Sequence, residues 1–305
     1  MPAGEWAAEV AIDAGIVRRV LRAQFPELTL SSLRLLGEGW DNSVWLVDGS
    51  WLFRFPRREL AVPPVERQVR LLPPLRPRLP LPVPQPVFVG APSDAFRWPF
   101  FGTPFLPGRE IADVSPDDQA RARAARPLAE FLRALHAPGL LALAGVDTLP
   151  VDPNRRADMT FRVERTRARI AELRELGLWE APPEVEQVLE DALELPAPAA
   201  PVLVHGDLHL RHLLIADDGS PTAVIDWDDI CRADPAVDLP LYWSFLPPAA
   251  RPAFLDAYPA TAEQLLRARV VAVFLCGALA VYGHHETLPA LVRESVASIE
   301  RTLTD

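Results

Sequence analysis

The segment that decides the fold reads V-L-V-H-G-D-L-H-L-R-H-L-L-I (202–215), then A-V-I-D-W-D-D-I (223–230) and D-P-A-V-D-L (234–239). Two short aliphatic runs, 202–204 and 223–225, precede the carboxylates of Asp207 and Asp226 respectively. A third apolar run, 213–215, comes between them and is followed by a polar turn. Short apolar runs bounded by turn residues are typical of strands. The pattern therefore predicts a loop that carries Asp207, a hairpin, and an aspartate placed to bind a metal.

Composition sets the broad class of the protein. The 305 residues are 49% hydrophobic and 24% charged, so the chain can form a sizeable core and is long enough for two lobes or domains. The net charge of −10 argues against nucleic acid or an anionic membrane as a partner. All 31 basic residues are arginine, which excludes a catalytic lysine.

Cysteine content and apolar patterning favour a cytoplasmic protein. Cys231 and Cys276 are too few for a disulfide framework. The N-terminal residues are acidic and do not follow the basic-then-apolar pattern of a signal peptide. The longest apolar stretch, 270–281, is shorter than a bilayer span and predicts a buried helix. We therefore expect no membrane and no nucleic-acid partner, and a monomer or weak homodimer.

The N-terminal region predicts a small antiparallel sheet. Residues 33–55 read L-R-L-L-G-E-G-W-D-N-S-V-W-L-V-D-G-S-W-L-F-R-F, in which a glycine-rich turn and the hairpin signal Asp48-Gly49 separate three apolar runs. A glycine-rich turn between strands can place backbone N–H groups against phosphates, although glycines in hairpins more often serve only the turn. Arg54 lies among apolar neighbours, so we expect it on a solvent face or held by a partner.

Beyond this sheet the chain is predicted to be mostly helical. A short helix at 65–72 carries Glu66 and Gln68, and the proline-rich run at 73–86 is expected to be extended. The Gly- and Pro-interrupted segment 100–108 separates an N-terminal lobe, residues 1–105, from a C-terminal lobe, residues 106–305. Ser115 is expected to cap a helix with Pro116 at its first position. Further helices are expected near 128–135, 153–176, 183–195, 248–258, 261–282 and 288–303.

Ionisable side chains are concentrated in the deciding segment, where they are His205, Asp207, His209, His212, Asp226, Asp228 and Asp229. Three interpretations are open on the residues alone. In the first, Asp207 accepts a proton from a substrate hydroxyl while His212 and Asp226 hold Mg²⁺ on a nucleotide. In the second, histidines and aspartates bind a transition metal that activates water. In the third, the groups are only structural hydrogen-bond partners.

The motifs H-G-D-L-H-L-R-H-L-L, I-D-W-D and D-P-A-V-D-L, following a glycine turn, a strand cation, a helix amide and a hinge, resemble the aminoglycoside and macrolide phosphotransferase family. The resemblance covers about residues 30–285. It implies an α+β, two-lobed, protein-kinase-like fold with an antiparallel sheet in the small lobe and a mostly helical large lobe. It also implies transfer of the γ-phosphate of ATP or GTP, with Mg²⁺, to a hydroxyl of a small molecule such as an aminoglycoside, a macrolide or an amino-alcohol.

The resemblance further implies roles for individual residues. Asp207 is implied as the catalytic base, Arg54 as the cation on the phosphates, and Asp226 with His212 as the metal ligands. His205, Asp234 and Asp238 are implied to support the loop. The implied nucleotide-binding residues are Gly37, Gly39, Asn42, Ser43, Arg54, Pro104 through its C=O and Leu106 through its N–H.

Three positions depart from the family pattern. Arg54 stands where lysine is common, and a planar guanidinium meets phosphate differently from an ammonium. Gln68 stands where a glutamate pairs with that cation, and Glu66 lies on another helix face. His212 stands where an asparagine binds Mg²⁺, although Mg²⁺ prefers oxygen ligands. A nucleotide-binding relative without transfer activity and a metal-dependent hydrolase are therefore the alternatives.

Acceptor recognition is expected in the C-terminal lobe. On its long helix, Arg162 and Arg165 are expected at the surface. Six residues are candidates for an acceptor pocket: Trp179, Trp227, Asp229, Trp243, Tyr258 and Glu286.

Overall fold

The computed structural model describes residues 8–39 and 41–304, which form two compact units. The smaller unit contains the described residues up to Pro77 together with Val83–Leu106, and the larger contains Arg78–Pro82 and residues 107–304. The smaller unit is built on an antiparallel sheet and the larger is mostly helical, as predicted.

A five-stranded sheet forms the centre of the smaller unit. Its strands are β1 (Leu33–Glu38), β2 (Asn42–Val47), β3 (Trp51–Pro56), β4 (Phe88–Gly90) and β5 (Phe100–Pro104). They are arranged in the order β1-β2-β3-β5-β4, and every neighbouring pair is antiparallel. Two helices, α1 (Ala14–Gln24) and α2 (Val62–Leu75), and a 3₁₀ turn at Glu59–Ala61 complete this unit.

Aromatic side chains fill the core of the smaller unit. Phe53 and Phe55 are completely buried, and they alternate along β3 with half-buried neighbours because successive side chains of a strand point to opposite faces. The ring of Phe55 stacks on Phe100 with centroids 4.5 Å apart, and Phe53 lies 5.5 Å from Phe88. Burial of each ring stabilises the sheet by about 1.5–3 kcal/mol. The strand that carries Arg54 is therefore held firmly by its neighbours.

Helix α2 is longer than the sequence predicted. It continues through Pro73 and Pro74, so the expectation of an extended chain from residue 73 is wrong for these residues. A proline near the end of a helix removes only its own N–H and leaves the carbonyl groups of the last turn free to accept. The N–H of Arg76 accordingly donates to the C=O of Leu72, and Leu75 is completely buried.

The larger unit combines ten helices with two small antiparallel sheets in the described residues. The helices are α3 (Ile111–Val114), α4 (Asp118–Ala122), α5 (Ala125–Leu135), α6 (Pro138–Ala144), α7 (Met159–Glu175), α8 (Pro183–Leu193), α9 (Pro240–Ser244), α10 (Arg251–Ala257), α11 (Ala262–His285) and α12 (Pro289–Thr302). One sheet consists of β6 (Arg109–Glu110), β8 (Leu213–Ile215) and β9 (Pro221–Val224), and the other of β7 (Val202–Val204) and β10 (Cys231–Ala233).

Helix α11 is the central helix of the larger unit and packs against α7, α8, α9 and α12. Its start carries a capping box formed by Thr261 and Gln264. The helix is longer than its apolar stretch, and by length and composition alone it could cross a membrane. However, 67% of its most apolar window is buried inside the protein, as in a core helix.

Two expectations for the larger unit are wrong. Ser115 does not cap a helix: it ends α3 with φ +51°, and Asp117 caps α4 by accepting from the N–H of Ala120. Arg162 is not at the surface but only 4% exposed. Its guanidinium lies 4.3 Å from the ring of Phe274 and donates to the C=O of Asn154, so burial is compensated by stacking and hydrogen bonding.

Candidate active site

The loop at 205–212 joins β7 to β8 and is fixed by a buried aspartate. Asp238 accepts hydrogen bonds from the N–H groups of His205 (2.7 Å) and Gly206 (2.9 Å). His136 lies 3.2 Å from the same carboxylate and 2.7 Å from the hydroxyl of Tyr258. Asp238 thus supports the loop as predicted, whereas His136 was not indicated by any local motif. Asp234 instead accepts from the N–H groups of Ala199 and Ala236, outside the loop.

His205 is a structural residue of the loop. Its Nε2 donates to the C=O of Ile225 at 2.9 Å, and its Nδ1 accepts from the N–H of Asp207 at 3.2 Å. The ring is completely buried, and burial lowers the pKa of His205, so the neutral form is favoured. This histidine joins the two ends of the deciding segment and is committed to hydrogen bonds within it.

Gly206 lets the loop pass close to residues 225–229. Its φ is +90°, and a Cβ at this position would lie 2.3 Å from the backbone oxygen of Asp229. Both facts require glycine, because other residues rarely adopt this φ and any side chain would overlap the backbone. The close passage brings Asp207 and Asp229 into the same neighbourhood.

Asp207 is held by Arg156, a residue that the sequence pattern did not indicate. Its Oδ1 accepts from Nη2 of Arg156 at 2.7 Å, while its Oδ2 lies 3.5 Å from Nε2 of His209. The same Arg156 nitrogen donates to Oδ2 of Asp229 at 2.9 Å. Burial raises the pKa of Asp207, but the Arg156 guanidinium together with His209 and His212 outweighs burial and holds that pKa well below its usual range. Asp207 is therefore a carboxylate at any physiological pH.

His212 connects Asp207 to Asp226. A carbonyl oxygen can only accept, so the 2.8 Å contact between Nδ1 of His212 and the backbone oxygen of Asp207 places the proton on Nδ1. The other ring nitrogen, Nε2, then carries a lone pair and lies 3.6 Å from Oδ2 of Asp226. Asp226 has φ +64°, a conformation that is uncommon for aspartate and is often found at functional sites.

The His212–Asp226 pair fits a divalent cation with one nitrogen and one oxygen ligand. Metal-bound histidines commonly donate their second ring N–H to a backbone carbonyl, as His212 does. An imidazole ligand suits zinc, copper or iron better than Mg²⁺, which prefers oxygen. The donor set therefore fits a divalent metal but is not the all-oxygen set that Mg²⁺ favours.

A three-histidine metal site is not formed by His205, His209 and His212. His205 is committed to Ile225, whereas His209 stacks on His212 with ring centroids 3.8 Å apart. Candidate ligand atoms of Asp207, His209 and His212 do lie within 4.8 Å of one another. Nδ1 of His212 is bonded to the Asp207 carbonyl, so Nε2, which faces Asp226, is the nitrogen of this ring that is open to a metal.

In the smaller unit, the predicted glycine turn is shorter than expected. β1 continues to Glu38, so Gly37 lies within the strand at a register shift. Both Gly37 and Gly39 are exposed; a Cβ at Gly37 would meet nothing within 4 Å, and one at Gly39 only the backbone oxygen of Asn42 at 3.8 Å. Packing does not explain these two glycines.

The other predicted nucleotide-binding residues lie on β2, β3 and the end of β5. Ser43 is completely buried and its hydroxyl accepts from Nε1 of Trp45, so its side chain is committed to the sheet. Asn42 is also buried, and Arg54 is half-buried opposite Val44 in the sheet. Pro104 ends β5, and Leu106 is the last residue of the smaller unit.

The register of α2 agrees with the sequence reading. Gln68 is only 1% exposed, whereas Glu66 points to solvent. The buried side of the helix therefore presents an amide rather than a carboxylate.

Of the six acceptor-pocket candidates, one lies at the site. Asp229 is joined to Asp207 through Arg156. Trp227 is completely buried and Tyr258 is bonded to His136, so both belong to the core. The remaining three are Trp179, packed on the α7–α8 core, Trp243, which donates to the Leu265 carbonyl, and Glu286, at the end of α11.

The sequence model of the family described as "Phosphotransferase enzyme family" matches residues 32–271. The chain belongs to this family. The match covers more than half of the chain and confirms, at the level of the family, the predicted small-molecule phosphotransferase.

Solved structures agree with this assignment. The GDP and kanamycin complex of APH(2")-IIIa has a TM-score of 0.67 and 24% identity, covering 94% of this chain and 97% of that chain. The apoenzyme of macrolide 2'-phosphotransferase MphH from Brachybacterium faecium has a TM-score of 0.62 and 25% identity, covering 92% and 97% respectively. The predicted kinase-like α+β fold is thereby confirmed.

One curated relative is similar over a short segment. Uncharacterized protein YcbJ of Bacillus subtilis (strain 168) is 50% identical over 40 residues, which is 13% of this chain and 13% of that protein.

Proposed function

We propose that this protein transfers the γ-phosphate of ATP or GTP to a hydroxyl group of a small molecule. Asp207 would orient the acceptor hydroxyl, and Asp226 with His212 would bind the divalent metal. The observation that carries the proposal is the link through His212, which donates to the backbone of Asp207 at 2.8 Å and faces Asp226 at 3.6 Å. One imidazole thus sets the spacing between the two carboxylates that phosphotransfer requires.

The state of Asp207 suits phosphoryl transfer. This reaction depends on positioning and charge stabilisation more than on a strong base. A carboxylate whose pKa lies well below its usual range orients a hydroxyl without needing to be highly basic. Its Oδ1 is bonded to Arg156, so Oδ2 is the atom we assign to the acceptor hydroxyl.

A divalent metal held by Asp226 and His212 would neutralise charge on the phosphates of the nucleotide. The donor set leads us to propose that Mn²⁺ is accepted at least as well as Mg²⁺.

We propose that the nucleotide binds to the N-terminal lobe, residues 1–105. Residues 106–305 would form the C-terminal lobe, which carries the catalytic loop and the acceptor pocket. The two exposed glycines, Gly37 and Gly39, leave their backbone open to a phosphate. Arg54 would supply the cation, and Pro104 and Leu106 would contact the base. Asn42 and Ser43 are proposed to belong to the same nucleotide-binding loop; the Ser43 hydroxyl accepts from Trp45 and keeps its own O–H as a donor.

The acceptor is proposed to be a cationic, hydroxylated small molecule. The chain carries a net charge of −10, and Asp229 adds a carboxylate beside Asp207. Aminoglycosides, macrolides and amino-alcohols all remain in this class. The same proposal places the protein in the cytoplasm, with no nucleic-acid or membrane partner.

The test is a phosphotransfer screen. Purified protein is incubated with ATP or GTP and either Mg²⁺ or Mn²⁺ in the presence of each acceptor class, and the phosphorylated product is identified by mass spectrometry. We expect one phosphate group on one acceptor class and none with Asp207→Asn. Nucleotide binding without any transferred phosphate across all three classes would favour the inactive relative, and stoichiometric bound zinc with hydrolysis would favour the hydrolase.

A further inference from the structure

Arg156 is joined to two carboxylates of the candidate active site by one nitrogen. Its Nη2 donates to Oδ1 of Asp207 at 2.7 Å and to Oδ2 of Asp229 at 2.9 Å. The side chain is 12% exposed, so these bonds are made in a largely dry environment, where charge-assisted hydrogen bonds are strong. Asp207 therefore has one oxygen fixed and the other turned towards His209.

A turn around Asp152 points Arg156 at this site. The carboxylate of Asp152 accepts from the N–H of Arg156 at 2.7 Å and from the N–H of Ala157 at 2.8 Å. Asp152 and Arg155 both have positive φ, +34° and +49°. Non-glycine residues in this region are strained and persist only where the surroundings impose the conformation.

The surroundings do impose this conformation. The N–H of Asp152 donates to the C=O of Arg232 in β10, beside the strand that leads into the loop. Two almost completely buried arginines hold the rest of the turn: Arg162 donates to the C=O of Asn154, and Arg267 to the C=O of Ala157, both at 2.8 Å. These hydrogen bonds anchor the turn on both sides of Arg156. The anchored backbone holds the Arg156 guanidinium beside Asp207 and Asp229.

We propose that Arg156 is a positioning residue for Asp207, fixing Oδ1 so that only Oδ2 can meet the acceptor hydroxyl. The expected effect on the reaction rate rests on the proposed function, whereas the hydrogen bond between Arg156 and Asp207 does not depend on it. Binding of an anionic acceptor group by Arg156 is disfavoured, because Nη2 already faces two carboxylates. A small change in the angle of the Asp207 carboxylate would misplace the hydroxyl, and misplacement by about 1 Å can cost about 10²-fold in rate.

The kinetic test compares Arg156→Met and Arg156→Lys with Arg165→Met, which removes an exposed arginine of α7. For Arg156→Met we expect a loss of about 10²-fold in kcat with little change in the KM values, partial recovery in Arg156→Lys, and wild-type kinetics in Arg165→Met. Added methylguanidinium should restore part of the rate of a folded Arg156→Ala variant. A kcat within twofold of wild type in folded Arg156→Met would overturn the proposal.

A second measurement reads the contact without turnover. In protein labelled with ¹⁵N-arginine, the guanidinium signal that disappears in Arg156→Lys is assigned to Arg156. We expect it to shift in Asp207→Asn, and an unshifted signal would overturn the proposal even if Arg156→Met fails to fold. If the wild type phosphorylates no acceptor, the proposed function fails, and the shift alone decides whether Arg156 orients Asp207.

Discussion

The imidazole of His212 donates from Nδ1 to the backbone oxygen of Asp207 at 2.8 Å, which leaves Nε2 to face the carboxylate of Asp226 at 3.6 Å. Two lone-pair-bearing atoms at this separation repel each other unless a cation lies between them. The histidine that departs from the family pattern thus presents a ring nitrogen to Asp226, which is the orientation that the proposed metal site requires.

Metal preference follows from this geometry. In His212→Asn we expect turnover with Mg²⁺ to rise, on the order of tenfold, and turnover with Mn²⁺ to fall relative to it, because an amide oxygen replaces an imidazole nitrogen. Initial rates over a range of each metal concentration measure both effects. An unchanged or lower Mg²⁺ rate would mean that His212 has a role of its own, such as supporting the Asp207 backbone.

Removal of the Asp207 carboxylate should abolish turnover and spare nucleotide affinity. For Asp207→Ala we expect kcat to fall by about 10²–10⁴-fold, since the acceptor hydroxyl loses its orienting group. Equilibrium binding of a non-hydrolysable nucleotide should stay within about twofold of wild type. Asp217→Ala is the matched control because that carboxylate is 86% exposed in a turn. Wild-type turnover in Asp207→Ala would refute the assigned role.

The lowered pKa of Asp207 predicts how the free energy of unfolding depends on pH. Because the folded pKa lies below the unfolded value of about 3.9, ionised Asp207 stabilises the fold above that pH, and this contribution disappears as pH falls through the folded pKa. Arg156→Met removes the cation that lowers the pKa. The difference in free energy of unfolding between wild type and Arg156→Met should therefore be larger at about pH 6 than at about pH 3.

Denaturant titrations at the two pH values measure that difference. The acid limb of kcat should also move to higher pH in Arg156→Met, because Asp207 then protonates more readily. The Arg156–Asp207 pair would be contradicted if the difference in unfolding free energy between wild type and Arg156→Met were equal at both pH values and the acid limb of the kcat profile did not move.

Substitution by alanine should destabilise the protein at Gly206 and leave its stability almost unchanged at Gly37. Gly206→Ala should destabilise the protein by about 2–4 kcal/mol, because its φ of +90° is strained for alanine and the Cβ would lie 2.3 Å from the Asp229 backbone oxygen. Gly37→Ala should change stability by less than about 0.5 kcal/mol, since its Cβ would meet nothing within 4 Å. Thermal or denaturant unfolding measures both.

The Gly37→Ala variant also tests the proposed nucleotide loop. If the exposed backbone at Gly37 receives a phosphate, the added methyl group should weaken nucleotide binding while the fold stays intact. Unchanged affinity would place the phosphates elsewhere.

Features carried by neighbouring residues were predictable from the sequence. The hairpin of β8 and β9, the Asp48-Gly49 turn and the capping box of Thr261 depend on short-range geometry, and all three are present. The expectations for Ser115 and Pro73 failed. At Ser115 a second local signal, the N-cap Asp117, starts the helix instead. At Pro73, burial of the neighbouring Leu75 holds the chain in a helix that local propensity disfavours.

The burial of Arg162 also could not be predicted from the neighbouring sequence. Arg162 lies on a charged helix and was expected in solvent, but Phe274 of α11 covers its guanidinium. Which face of α7 meets α11 is a property of helix packing and not of the α7 sequence, whose charges are spread around the helix.

The sequence by itself determined the carboxylates of the candidate site and their order along the chain, because they lie in one continuous segment with a fixed pattern of strands and turns. It also determined the family to which the chain belongs, because the family pattern runs over residues 32–271. Only the tertiary structure decided which cation joins them. Arg156 is 51 residues from Asp207 and reaches it through a strained turn that buried arginines hold in place, and no local pattern encodes a contact of that range.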